Sequence, residues 1–369
     1  MKKCLVSLTG VFLLLIIFSN TCMAEQNIVD AMGRTVSIPD KVEKVICSGP
    51  GCLRLLTYLQ AQDRIVGVDD METRRSRFDA RPYALAHPEF KQYPEFGSFR
   101  GHDNPEQILV LDPQPQVIFK TYATMGHDPV ELSQKTGIPV IVLNYGDLGA
   151  NRNQLFQAIG IMGKALGQGK RAQAVVSFFE STIADLHGRT RDIPEDARPS
   201  CYVGGIASKG PHGYQSTEPG YPPLAFIHAN NVAYETGLKG RALLHSNVAK
   251  EKIVEWDPDI LFLDLSTLQM GDKAGGLYEL KTDPAYQSLT AVQQGKVYGV
   301  LPYNWYSRNY GSILANAYYM GKLMYADRFE DVDPKAKADK IYTFLIGKGV
   351  FEIMNQSFGG LVFQPVPVQ

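Results

Sequence analysis

Along the chain, short runs of β-branched and aliphatic residues alternate with stretches whose apolar positions recur every three or four residues, and this alternation sets the first picture of the fold. VEKVIC at 42–47 reads as a buried strand and CLRLLTYL at 52–59 as the helix behind it. RIVGV at 64–68, QVIF at 116–119 and PVIVL at 139–143 read as further strands. Between them Asn104 is placed to cap a helix whose first residue is Pro105, and PVELSQKTG at 129–137 ends on a glycine stop. Strand, helix, strand repeated in this way predicts a parallel sheet covered on both faces.

From Asn153 to Leu186 the rhythm changes. No strand candidate appears, and AQAVVSFFESTIADL carries apolar residues at helical spacing. Gly167 and Gly169 separate a shorter helix from a longer one, and RTRDIPEDARP, polar with two prolines, closes the segment as a linker. Alternation then resumes with CYVGGI at 201–206, DILFLD at 259–264 and KVYGV at 296–300. The expected organisation is an α/β lobe over 25–152, a linking helical segment over 153–190 and a second α/β lobe over 198–369. NPEQILVLDPQPQVIF at 104–119 and NVAKEKIVEWDPDILFLD at 247–264 share one plan of Asn cap, helix, Asp-Pro break and strand, so the lobes read as pseudo-repeats.

The amino terminus adds an address. Lys2 and Lys3 precede the apolar run LVSLTGVFLLLIIF, which ends in SNTCMA at Ala24; this is the order of a cleavable signal peptide over 1–24. The run is short for a membrane span and has no basic stop-transfer flank. Ser19 stands where a lipobox before Cys22 would want Leu, so a soluble exported, periplasmic protein is expected rather than a lipid-anchored one. A formal net charge of -1 gives nucleic acid or an anionic membrane surface nothing to attract. After cleavage Cys47, Cys52 and Cys201 remain, allowing at most one bridge, and burial as small apolar residues is the expected use. No Cys-x-x-Cys, His-rich tract or His-Glu-x-x-His supports a zinc site.

The leader, the opening VEKVICSGPGCLRLLTYL and RIVGV, the Pro-Gln-Pro-Gln-Val-Ile and Asp-Pro-Asp-Ile-Leu strands and the single long linking helix together resemble the class III periplasmic solute-binding proteins of ABC importers. That family serves iron-siderophore, haem and cobalamin uptake, and some members take molybdate or tungstate. The resemblance implies two lobes, each with a central parallel sheet flanked by helices, joined by one rigid helix and moving little on binding. It also implies a monomer without a cofactor, partnered by an ABC permease dimer and meeting the membrane only through it.

In open parallel sheets the ligand crevice lies beyond the carboxyl ends of the strands. Four loops answer to that place. SGPGC at 48–52 offers Ser48, Gly51 and free N–H groups at a helix start. GSFRGHDN at 97–104 carries Arg100 and His102; it resembles the loop that contacts the chelate in hydroxamate-siderophore binders, and the same likeness puts Tyr122, just past QVIF, beside Arg100. ASKGPHGYQSTEPGYPP at 207–223 is long and carries Lys209, His212 and Tyr214. YNWYSRNYG at 303–311 follows KVYGV and offers Trp305, Tyr306 and Arg308.

Aromatic walls suit a ferric chelate, and the forked guanidinium groups of Arg100 and Arg308 suit its negative oxygens. An oxyanion would instead use convergent N–H and hydroxyl donors such as SGPGC and Ser216-Thr217. The number of aromatic residues favours the chelate, with a molybdate- or tungstate-type oxyanion as the alternative. Direct metal ligation would draw on His102, His127 and His212, whereas His87, His187, His228 and His245 are placed elsewhere; a lone loop histidine is more often a hydrogen-bonding residue. An exported hydrolase is disfavoured, since no Gly-x-Ser-x-Gly elbow or Ser-x-x-Lys set is present. From the family's use of one acidic residue on each lobe's rim, Glu72 and Glu235 are the expected permease-docking residues.

Overall fold

The computed structural model describes residues 25–74, 76–235, 238 and 243–368; the expected leader lies outside them. Three parallel strands, Val45–Ser48, Val117–Thr121 and Val140–Leu143, form the first lobe's sheet, with Val117–Thr121 in the centre. Ile46 pairs with Ile118, and Phe119 with Ile141. All three strands are buried along their whole length, as a sheet covered by helices on both faces requires. In the second lobe the order is Asn230–Asn231, Ser200–Gly204, Ile260–Asp264, Val297–Val300, again all parallel. Two α/β units of this kind realise the expected class.

RIVGV does not form the expected strand. Val66 N–H bonds Val45 O at 3.1 Å, but Val68 N–H bonds Pro94 O at 3.0 Å, so the segment changes partner within three residues. Val68–Asp69 joins Glu95–Ser98 and His102–Asp103 in a small separate sheet. The echo between the lobes is also partial. Asn104 caps its helix, accepting from the N–H groups of Glu106 (3.0 Å) and Gln107 (3.2 Å). Asn247 instead pairs with Ser216 in a two-residue strand, and the Lys250–Trp256 helix starts from Ala249 with no side-chain cap.

The linking segment holds two helices, Arg152–Ala165 and Gly169–Thr190, separated at Gly167, whose φ of +67° is a left-handed turn that glycine adopts without strain. The longer helix touches both lobes: Arg171 donates to Tyr58 O at 2.8 Å and to Phe344 O. No described helix is long and apolar enough to cross a membrane. Cys47, Cys52 and Cys201 are free and buried.

Several charged groups lie in the core, Lys120 and Glu72 among them. Lys120, in the middle of the apolar strand VIFKT, has a side chain 0% exposed and forms an ion pair with Asp103 at 2.6 Å. Its ammonium also bonds Ser48 Oγ at 3.1 Å and Gly101 O at 3.0 Å, tying the first crevice loop to the second. Glu72, expected on the rim as a docking charge, is 2% exposed. It accepts from Arg81 at 2.8 Å and from the Tyr83 hydroxyl at 2.6 Å, so it is a structural carboxylate inside the first lobe and not a surface contact.

The lobes meet through YNWYSRNYG. Asn304 and Arg308 pair as an antiparallel bridge, and Tyr306 and Ser307 at the tip take left-handed φ values of 48° and 68°. Arg54, 1% exposed on the Cys52–Tyr58 helix, donates to the carbonyls of Arg308 (2.8 Å), Trp305 (3.1 Å) and Tyr306 (3.1 Å). The Tyr145 hydroxyl donates to Arg308 O at 2.7 Å. On one flank the Tyr306 hydroxyl donates to the buried Asp69 carboxylate and accepts the Arg100 N–H at 3.2 Å; on the other, Ser307 Oγ and Tyr122 OH are 2.8 Å apart.

Removing one partner of a buried ion pair strands the other, at a cost of about 3–5 kcal/mol. Lys120→Met is therefore expected to lower the urea-unfolding free energy by about that amount, and Lys120→Met with Asp103→Leu to recover most of it. A single variant within 1 kcal/mol of the parent would show the pair to be dispensable. Asp69 gives a second test. Burial first, then the charge of Glu72, raises its carboxyl from the usual 3.8 to about 8 despite the Tyr306 hydrogen bond. The folded protein thus holds a proton that the unfolded chain has lost, a contribution complete below about pH 4 and lost as pH rises through about 8. Thermal unfolding across this range is expected to show a shallower decline for Asp69→Asn than for the parent.

Candidate functional site

Beyond the carboxyl ends of both sheets, beside the docked hairpin, lies a cavity of about 400 Å³. The loop that follows Val140–Leu143 supplies Asp147 and Asn151, the first turn of the Arg152–Ala165 helix supplies Gln154, and Tyr122 stands at the cavity's edge. The second lobe supplies Ser208, His245, Asn304, Ser307 and Arg308. Arg308 is the one guanidinium among the described lining residues, and its side chain is 20% exposed.

The backbone fixes Arg308 before its side chain does. Its carbonyl is held by Arg54 and Tyr145, and Asn309 N–H closes the hairpin on Tyr303 O at 2.7 Å. The guanidinium then meets Asp147 Oδ2 at 3.2 Å and lies 3.8 Å from Glu218 Oε1. Asp147 is held by the N–H groups of Gly149 and Asn151, both at 2.8 Å, and by Asn151 Nδ2 at 2.9 Å. Partial burial works to raise its carboxyl, but the Asn151 donors, Arg308 and the Gly149 N–H together keep it below its usual value. Glu218 goes the other way: burial pushes it up to about 8, against the pull of Arg308. Burial, and then the neighbouring His212, lowers His245, so its ring is neutral at pH 7. The Arg308 guanidinium makes one hydrogen bond among the described residues, to Asp147, and so keeps donors for a ligand.

The expected site residues divide into three groups. Tyr122 and Arg308 line the cavity. Arg100, Trp305 and Tyr306 sit at the lobe junction: the Arg100 main chain meets Tyr306 while its guanidinium lies over Phe99, Trp305 packs edge-on against Phe358, and Tyr306 reaches Asp69. The remainder do not face the cavity. Ser48 is buried as an acceptor for Lys120, and Gly51 lies under the Tyr145 ring, which fills the space an anion would need there. Tyr214 is buried edge-on against Tyr202, and Lys209 and His102 are exposed. His212 bonds Ser208 O at 2.8 Å behind His245. Glu235 is exposed, as a docking charge must be.

Sequence reasoning passed over Asp147, Asn151 and Gln154, although the signal was present. They follow the strand PVIVL in NYGDLGANRNQ, a loop and helix start at a strand's carboxyl end, the position by which the other four loops were selected. His245, placed elsewhere, in fact lines the cavity; it precedes the short Ser246–Asn247 strand that pairs with Ser216–Thr217, and its Nε2 lies 3.0 Å from Ser216 Oγ. Among the described residues no three His, Cys, Asp or Glu side chains converge to hold a metal ion.

This architecture has known counterparts. The chain is 24% identical over 342 residues to the molybdate-binding protein MolA of Haemophilus influenzae, spanning 85% of this chain and 89% of that protein. It is 22% identical to the uncharacterized ABC transporter substrate-binding lipoprotein YvrC of Bacillus subtilis, spanning 82% of this chain and 86% of YvrC. The fold matches the structure of MolA bound to molybdate with a TM-score of 0.65 at 20% identity, over 88% of this chain and 98% of MolA. A periplasmic solute binding protein from Veillonella parvula matches with a TM-score of 0.68 at 17% identity, over 92% and 97% of the two chains. The periplasmic binding protein family model matches residues 45–303, and the chain belongs to that family, the solute-binding components of ABC transporters rather than enzymes.

Proposed function

We propose that this protein captures a small tetrahedral oxyanion of the molybdate or tungstate class between its lobes and delivers it to an ABC permease. The observation that carries the reading is Arg308, a fixed and partly free guanidinium lining a half-open cavity of about 400 Å³. Hydroxyl and amide groups from Tyr122, Gln154, Ser208 and Ser307 surround the same space. Oriented donors in a confined site suit an anion whose surface is all acceptor oxygen. The likeness to MolA supports the same ligand class.

The expectation of a ferric chelate rested on aromatic walls. Trp305 packs on Phe358 within the second lobe and Tyr306 bonds Asp69 of the first, which leaves Tyr122, Tyr303 and His245 as the rings at the cavity.

Elemental analysis with native mass spectrometry of the protein from its own compartment is the direct test. Molybdenum or tungsten without an organic mass is the expected result, and iron with an organic mass would overturn it. Hydrogen bonds to a charged group contribute about 1.5–3 kcal/mol. Arg308→Gln should therefore weaken molybdate binding by about 10–150-fold in calorimetry. For delivery, the exposed Glu235 remains the proposed second-lobe docking charge. Glu235→Lys is expected to abolish uptake in cells while molybdate affinity stays at the parent value; a loss of affinity would place Glu235 in the ligand site instead.

A further inference from the structure

Glu218 follows the Ser216–Thr217 strand and lies behind Arg308 as seen from the cavity lining. Its side chain is 2% exposed, Oε1 is 3.8 Å from Arg308 Nη2, and Oε2 has no hydrogen-bond partner. The adjacent Thr217 hydroxyl is likewise buried without a partner. A buried carboxylate with an empty oxygen is an expensive arrangement, whereas a buried carboxylic acid is much less so.

The groups facing it come from four places. Arg308 lies on the hairpin, Asp147 on the first-lobe loop, Asp264 at the end of the Ile260–Asp264 strand, and Tyr221 at the start of the Pro222–Phe226 helix. With Asp147 and Glu218 both ionised, two negative charges would share one guanidinium, and an ionised Asp264 beside Glu218 would add a third to the cluster. An incoming anion would then find no net attraction.

We propose that Glu218 is a positioning residue that sets anion affinity through Arg308: as a neutral acid it leaves the guanidinium to the ligand, and on losing its proton to solvent it engages the guanidinium and the anion is released. The inference rests on the oxyanion reading above. Burial raises Glu218 to about 8 and Asp264 to about 7, so the shift falls within reach of ordinary buffers.

Molybdate keeps the same double charge from neutral to alkaline pH, so it serves as a probe whose own titration does not intrude. Calorimetry from pH 7 to 9.5 is expected to show the parent weakening by up to about tenfold per unit above pH 8, as single-proton linkage requires. Glu218→Gln should bind at least as well as the parent at pH 7 and lose little by pH 9.5. Asp69 titrates in the same range but is common to both proteins, and Asp69→Asn as a background removes it. Parallel loss of affinity in the parent and Glu218→Gln would overturn the inference.

A ligand-free reading separates this failure from failure of the oxyanion assignment. Carboxyl ¹³C NMR of the parent should show Glu218 titrating near pH 8, and Arg308→Gln should move it higher, since Arg308 is the group that holds it down. Titration of Glu218 in the ordinary carboxylate range overturns the inference whatever the ligand. Absence of molybdate binding at every pH, with that resonance titrating near 8, removes the oxyanion assignment and leaves the Glu218–Arg308 coupling standing.

Discussion

The fully buried guanidinium of Arg54 is the constraint on which the arrangement of the cleft depends. Among the described residues it has no carboxylate in hydrogen-bonding contact; its Nη donors go to the Tyr145 hydroxyl and to three carbonyls at the tip of the opposite lobe's hairpin. A buried charge is tolerable when most of its hydrogen bonds are made; here both Nη groups are satisfied, chiefly by backbone from the other lobe, while Nε is buried without a partner. Withdrawing the hairpin from the first lobe would therefore leave three of the Arg54 hydrogen bonds unmade. The left-handed conformations of Tyr306 and Ser307, each costly for a residue with a side chain, are held in place by the same contacts.

Fixing the hairpin also fixes the electrostatics of the cavity. Because the Arg308 carbonyl is pinned by Arg54 and Tyr145, its side chain has a defined origin and reaches Asp147 across the lobe boundary. Asp147 is stabilised as an anion by the backbone turn that holds it, so it orients Arg308 without needing to be neutralised. Glu218 lacks such donors and is held as the acid. Two carboxyl groups near one guanidinium thus take opposite charge states, and the difference lies in how many N–H groups each receives.

Much of the fold was legible because it rests on local signals that nothing distant overrides. The continuous apolar runs at Val117 and Val140, the Asn104 cap and the Gly167 break all appear where their chemistry puts them. RIVGV was misread because its apolar run satisfied the strand pattern while its hydrogen bonds divide between Val45 and Pro94, a partner choice made by tertiary placement. Lys120 and Glu72 were illegible for a related reason. A lone charge in a sequence carries no mark of whether a partner such as Asp103 or Arg81 will arrive from elsewhere to permit its burial.

The site itself was half legible, and YNWYSRNYG shows why. Selecting loops by the strands they follow located the hairpin correctly, and reading its side chains singled out Trp305, Tyr306 and Arg308. Yet the groups that join it to the first lobe include three main-chain carbonyls, which every residue possesses and which no composition can flag. The rings that suggested a stacking wall are directed to Phe358 and Asp69, and Arg308 is directed to the cavity. That division follows from the turn: two successive left-handed residues reverse the chain between Tyr306 and Arg308, so neighbours in sequence face different surroundings. Side-chain chemistry singled out the stretch, while the backbone conformation decided which of its members faces the cavity.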